Sequence, residues 1–424
     1  MEEKPTPKEI NKIEEDKNEI IIENNEKKEE EENIEEDEIK DDGIIKEEDI
    51  KIDEKELDFV EQPEIEIKNE EDLENKITSD IEKIEIDNLN IKLSNDKILD
   101  KLKKTKFTKL EYLSLSNMEI TSLNFLNNEC FKTLIILEIK NSKLKSLDEL
   151  NKAPFKDLKV LDLSANEINS LDTLKECTFN ELEILNLADN KNIKELKPIK
   201  EAGFKKLKKL DLSNNNIEDI SALEDQSFSN LESLYLNKNH IKDNINVFGK
   251  TTFKNLKDLQ LCEDEIKTID VFKDNDRFKE LEELQLSGNQ IELIEAFAKS
   301  QCEKLKILIL SKNQIKKIDA LSQAPFKNLE KLELFDNLIE DINVFKNTPF
   351  NATLKELDLS FNKIKSIDAL NDKQKFEKLV DLKIEANDNL DYSNEKIKQL
   401  YDKYDIEYTY NYIFKENSKG FKQI

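Results

Sequence analysis

One pattern returns twelve times between residues 107 and 391, and it leaves the chain few ways to fold. Its opening leucines are Leu110, Leu134, Leu158, Leu182, Leu207, Leu231, Leu256, Leu281, Leu305, Leu329, Leu354 and Leu379, always 24 or 25 residues apart. In "LKKLDLSNNNIEDISAL" (207–223), Leu210 and Leu212 are two apart, as on one face of a strand. Ile217, Ile220 and Leu223 are three apart, as on a tight helical turn. Both sets reach one core only if a sharp corner separates them. A unit this short cannot bury its apolar side alone, so neighbouring units must stack.

The composite reads L-x-x-L-x-L-x-x-N-x-I-x-x-I-x-x-L, then a spacer and F-x-x before the next leucine. The in-out-in order of Leu210, Asp211 and Leu212 predicts one short parallel strand per unit, ~4.8 Å from its neighbours. The asparagine marks where the chain leaves the strand. Its amide donates and accepts, so it can satisfy backbone groups that a buried corner leaves unpaired. Nine units keep it: Asn166, Asn190, Asn215, Asn239, Asn289, Asn313, Asn337, Asn362 and Asn387. Met118, Ser142 and Asp264 replace it, and Asp264 can still accept. Beyond the second isoleucine, Asn124, Asp148, Asp172, Ser221, Asn246, Asp270, Asp319, Asn343 and Asp368 are expected to cap a short helical turn. Lys197 and Glu295 break that rule. The recurring phenylalanine predicts a spine of rings on the outer side, with Cys302 packing in one ring's place.

These residues resemble the leucine-rich repeat family over about residues 107–391, in the short isoleucine-containing form of protein phosphatase 1 regulatory subunits and internalins. The unit here is longer and adds the phenylalanine. The resemblance implies an α/β leucine-rich repeat solenoid, a curved horseshoe with parallel strands on its concave face and helical turns on its convex face. Solenoid ends need caps. "IEKIEIDNLNI" (81–91) keeps nearly the repeat spacing and is expected within an N-terminal cap, 78–106. A C-terminal cap, 392–424, is expected to hold a helix at 393–405 and a strand at 406–414.

Charge divides the chain. The first 80 residues hold 34 Asp and Glu against 12 Lys and Arg, a net −22 of the total −28. Segment 1–77 therefore reads as a disordered acidic tail. The start "MEEKPTPKEI" lacks signal-peptide features, no run of 18 apolar residues occurs, and the four cysteines form no C-x-x-C pair. An intracellular, cytoplasmic or nuclear, reducing location is expected, without a membrane or nucleic-acid partner.

Chemistry finds little support. His240 is the one histidine, and the five glycines form no phosphate-binding loop. No His/Cys cluster has zinc spacing. No catalytic residue, metal or cofactor is expected.

Binding on the concave face is expected instead. In this fold the third, fifth, seventh and eighth positions of each unit project there. The third position begins Tyr112, Ile136, Val160 and Ile184, an apolar ridge beside an acidic rail of Glu138, Asp162 and Asp211. A second cluster joins Ile307, Ile309, Phe335 and Phe361 to Glu333 and Asp358, and Tyr235 lies between the two near Asp258. Such a groove suits a partner with Lys or Arg around an apolar anchor. The resemblance implies a protein-binding scaffold, with a phosphatase catalytic subunit as one candidate partner. The acidic segment suggests an alternative, a chaperone-like protein that binds basic proteins such as histones.

Overall fold

In the computed structural model the described residues are 67, 69–88, 93–372, 374–390 and 395–404, all within one compact unit, Gln62–Ile424. Segment 1–66 lies outside them, as does the strand expected at 406–414.

Among the described residues thirteen parallel strands form one open sheet in chain order. The first, β1 (Lys83–Asp87), belongs to the N-terminal cap, and β2 (Tyr112–Ser116) to β13 (Asp381–Lys383) come one from each repeat. The register is strictly lateral: Tyr112, Ile136, Val160, Ile184 and Lys209 are successive partners. Leucines of the composite point inward, and Leu207, Leu210, Leu212, Ile217, Ile220 and Leu223 are all fully buried.

The asparagines close the corner. Asn313 Nδ2 donates to the carbonyls of Leu286 (2.9 Å), Leu310 (3.0 Å) and Ser311 (3.1 Å), and its Oδ1 accepts from the Ile291 amide at 3.0 Å. One side chain thus ties its own strand end to the preceding coil.

The outer turns are mostly 3₁₀ segments, such as Asp172–Glu176 and Asp319–Ser322. The expected caps are displaced. Asn124, Asp172, Ser221, Asn343 and Asp368 are the first residues of their turns, and the acceptor stands two residues earlier. Ser122, Ser170, Asp219, Asp341 and Ser366 accept those residues' amides through their side chains. A 3₁₀ turn starts tightly enough that the side chain two residues back reaches the free N–H. Lys197 opens an α-helix instead, Lys197–Ala202, with Pro198 in its first turn and left-handed Gly203 (φ 64°) ending it.

Phenylalanines fill the outer core, although the spine is interrupted. Phe155, Phe179 and Phe204 follow one another at 6.0 and 6.4 Å. At the gap left by fully buried Cys302, Phe297 bridges Phe272 (5.9 Å) and Phe326 (5.5 Å). Burial pushes the Cys302 thiol up to about 12, which fits a packing role.

A charge ladder borders the sheet at the second position of the repeat. Lys and Glu alternate there from Lys159 to Lys355, and ion pairs join Glu183–Lys208 (2.7 Å), Glu232–Lys257 (2.6 Å), Glu282–Lys306 (2.6 Å) and Glu330–Lys355 (2.7 Å).

The N-terminal cap begins earlier than residue 78. Helix α1 (Glu70–Lys76) forms inside the expected tail, capped by the Asn69 side chain, which accepts from the Asp72 amide at 2.9 Å. Ile67, Leu73 and Ile77 are buried, and Glu70 and Glu74 pair with Lys97 (2.7 Å) and Lys101 (2.8 Å) of α2 (Asn95–Lys104). Apolar burial and opposite charge order a stretch that its acidity alone marked as unfolded. At the other end, the helix Glu395–Tyr404 buries Ile397 and Leu400.

Candidate partner-binding face

The strand face inherits its side chains from a ladder of equivalent positions, so each residue's surroundings are set by the coils on either side. The N-terminal ridge is closed. Ile136 and Val160 are fully buried and Tyr112 is buried; only Ile184 is half-exposed. In register, Tyr112, Ile136 and Val160 flank one another as apolar neighbours, whereas Ile184 has Lys209 on one side.

The acidic rail beside it is also buried and internally bonded. Glu138 accepts from the Tyr112 hydroxyl at 3.1 Å and pairs with Lys140 at 3.1 Å. Asp162 accepts from the Ser164 amide (2.9 Å) and from Asn186 Nδ2 (3.1 Å). Burial, then the neighbouring Glu138, holds the Asp162 carboxyl above its usual range. Asp211 accepts from the Ser213 amide at 2.9 Å through Oδ1, and its buried Oδ2 has no hydrogen-bond partner. Burial pushes Asp211 up to about 6.

At mid-array, the Tyr235 hydroxyl donates to Asp258 Oδ2 at 2.6 Å while Lys209 Nζ lies 4.8 Å from the ring centroid. Burial raises the Tyr235 phenol and pushes Asp258 up to about 6. Tyr235 is buried, so it is not an open anchor.

The C-terminal cluster is the open one. Ile309 is buried and Ile307 and Phe335 are both half-buried, but Phe361 is 54% exposed. The two rings meet edge to face at 5.1 Å and 64°. Phe361 holds a left-handed backbone, φ 54°, at the eighth position of its repeat, where coil eight has Gly288. A bulky side chain there is strained. Glu333 pairs with Lys331 at 2.8 Å, and Lys331 also reaches Glu356 at 3.3 Å. Asp358 accepts from the Ser360 hydroxyl (2.6 Å) and amide (2.9 Å), and burial raises its carboxyl. Exposed Asp336 stands beside Phe335 in the chain, and Lys312 Nζ lies 6.0 Å from that ring.

Sequence reasoning missed Lys312, Asp336 and Ser360 in this cluster. The signal that marks Phe361 apart was present: a phenylalanine where most repeats place Asn, Asp, Lys or Gly.

His240 is half-exposed and its Nδ1 lies 2.8 Å from Glu265 Oε1. Among the described residues no group of three or more His, Cys, Asp or Glu is placed to hold a metal ion, and no helix is long and apolar enough to cross a membrane.

With this geometry in hand, the likenesses are informative. Leucine-rich repeat models match residues 180–241, 279–339 and 350–369. Among solved structures, an internalin (inlF) of Listeria monocytogenes is 22% identical, with 76% of this chain and 87% of that one covered and a TM-score of 0.57. A leucine-rich repeat protein of Leptospira interrogans is 21% identical, covering 82% and 100%, with the same TM-score of 0.57. The functional domain of InlJ from Listeria monocytogenes is 19% identical over 69% of this chain and 59% of that one, TM-score 0.51. These likenesses show the fold. Among curated proteins none matches the chain.

Proposed function

Because this chain is a leucine-rich repeat protein, we propose that it is a non-catalytic scaffold that holds a partner protein against its strand face. The site is the C-terminal cluster of Phe335, Phe361 and Ile307 between Glu333 and Asp358. One observation carries the reading: Phe361 is a large apolar side chain held in a left-handed backbone and left 54% exposed. Neither its conformation nor its exposure stabilises the free chain, so a bound partner is the natural compensation. Glu333, Asp336 and Asp358 around the ring pair favour a partner that brings Lys or Arg beside an apolar anchor. A phosphatase catalytic subunit is one protein to test for that chemistry. The four cysteines, all free, support an intracellular location.

The net charge of −22 over the first 80 residues supports a second reading, in which basic proteins bind the acidic segment. Affinity capture separates them, with full-length protein, its Phe361→Asp variant and residues 62–424 as baits. A partner kept by the first and third baits and lost by the second supports the strand face. A partner kept by both full-length baits, lost by 62–424 and eluted by modest salt supports the acidic segment instead.

A further inference from the structure

From Asn166 to Asn387 every coil but one closes its corner with asparagine, and the exception is Asp264. Its Oδ1 does what an asparagine oxygen does, accepting a preceding-coil amide, that of Asn239, at 2.9 Å. Its Oδ2 replaces the NH₂ group of an asparagine side chain, and it is buried without a hydrogen-bond partner. In neighbouring coils that NH₂ group donates to strand-end carbonyls: Asn239 Nδ2 to Leu212 and Leu236, Asn289 Nδ2 to Leu261 and Leu286. An ionised Oδ2 has no proton to donate at such a corner, whereas a protonated one donates as the amide does.

The surroundings favour the acid form. Burial holds the carboxyl well above its ordinary range, against the amides of Asn239 and Ile241, which favour the ionised form, and Glu263 and Glu265 on either side add to the upward effect. The lysines of the preceding coil are engaged with those two glutamates, Lys238 with Glu263 at 3.5 Å and Lys242 with Glu265 at 3.6 Å, and His240 Nδ1 lies 2.8 Å from Glu265 Oε1. The following coil offers Ser287, Gly288, Asn289 and Gln290, none of them charged, and Asn289 Oδ1 accepts the Asp264 amide at 3.0 Å. The buried thiol of Cys262 lies on its own coil.

Backbone geometry singles out the same place independently. Each coil has one left-handed residue at its eighth position. Among the described residues the additional non-glycine ones are Lys242 (φ 52°), Glu265 (φ 58°) and Asp274 (φ 53°), all in the sixth and seventh coils.

We propose that Asp264 makes the junction of the sixth and seventh coils a proton-controlled joint, closed when the side chain is protonated and the first inter-coil contact to open when it ionises. In a repeat array, stability is a sum of coil and interface terms, so one weak interface divides the array into two cooperative blocks. The folded carboxyl titrates above its unfolded counterpart. Its stabilisation is therefore complete below the unfolded value and is lost as pH rises through the folded one. Across that window the opening equilibrium increases about tenfold per pH unit.

The test is hydrogen exchange on the full chain and on Asp264→Asn, each at pH 6 and pH 8. Asparagine is the residue the adjacent coils already use, so the variant retains the fold. Comparing the two proteins at the same pH cancels the intrinsic pH dependence of exchange, and amides of the tenth coil serve as reference. Amides at 236–242 and 261–266 should exchange faster in the natural chain than in the variant, by a larger factor at pH 8, with the tenth coil unchanged. Asn313→Asp should install the same pH sensitivity in the ninth coil. Equal exchange in the two proteins, a difference independent of pH, or a larger difference at pH 6 overturns the joint.

Discussion

Phe361 presents its ring to Phe335 edge to face at 5.1 Å while its own backbone sits at φ 54°. The arrangement joins an unfavourable backbone to an exposed aromatic pair at one point on the strand face.

Replacing Phe361 with glycine separates these contributions. Relief of the left-handed backbone gains about 1 kcal/mol, and loss of the ring pair costs about 0.5–1.5 kcal/mol. The urea midpoint should therefore change little, while partner capture falls sharply. A large loss of stability would instead make Phe361 a structural residue.

The asparagine corner should be among the costliest places to truncate. Asn313→Ala removes three donated bonds and one accepted bond at once, and it leaves the Ile291 amide without its side-chain acceptor. A loss of about 2–4 kcal/mol is expected in chemical denaturation.

Phe272 bridges the rings of Phe278 (4.5 Å) and Phe297 (5.9 Å) beside the coil where cysteine replaces phenylalanine. Phe272→Ala should cost about 3–5 kcal/mol and open a cavity. Phe204→Ala, next to a single ring contact at 6.4 Å, should cost less.

Asp211, pushed up to about 6 by burial, predicts a pH effect of definite sign. Its folded value lies above the unfolded one, so its contribution is complete below the unfolded value and lost as pH rises through about 6. Asp211→Asn should stabilise the chain at pH 7.5 by about 2 kcal/mol, and by about 1 kcal/mol less at pH 5. Urea midpoints of both proteins at the two pH values measure this.

Several features were legible because they depend on residues near one another in the chain. The strand, the corner and the outer turn are all carried within one unit such as 207–223. The cap acceptor was misplaced by two residues, since 3₁₀ and α turns differ in reach and the spacing of Ile217 and Ile220 does not distinguish them. Helix Glu70–Lys76 was hidden by its own acidity, because the lysines that pair with it, Lys97 and Lys101, lie 27 residues away.

By itself the sequence determined the repeat, the buried leucines and the asparagine ladder, since a 24- or 25-residue period admits only stacked coils. Only the tertiary structure decided which strand-face side chains stay open. Ile136 and Ile184 occupy the same position of the repeat, yet Ile136 lies between Tyr112 and Val160 and is buried, whereas Ile184 adjoins Lys209 and is half-exposed. Exposure on this face depends on side chains about one strand spacing away laterally, ~4.8 Å, and a full repeat away along the chain. The repeat pattern specifies the position, and the neighbouring coils specify its surroundings.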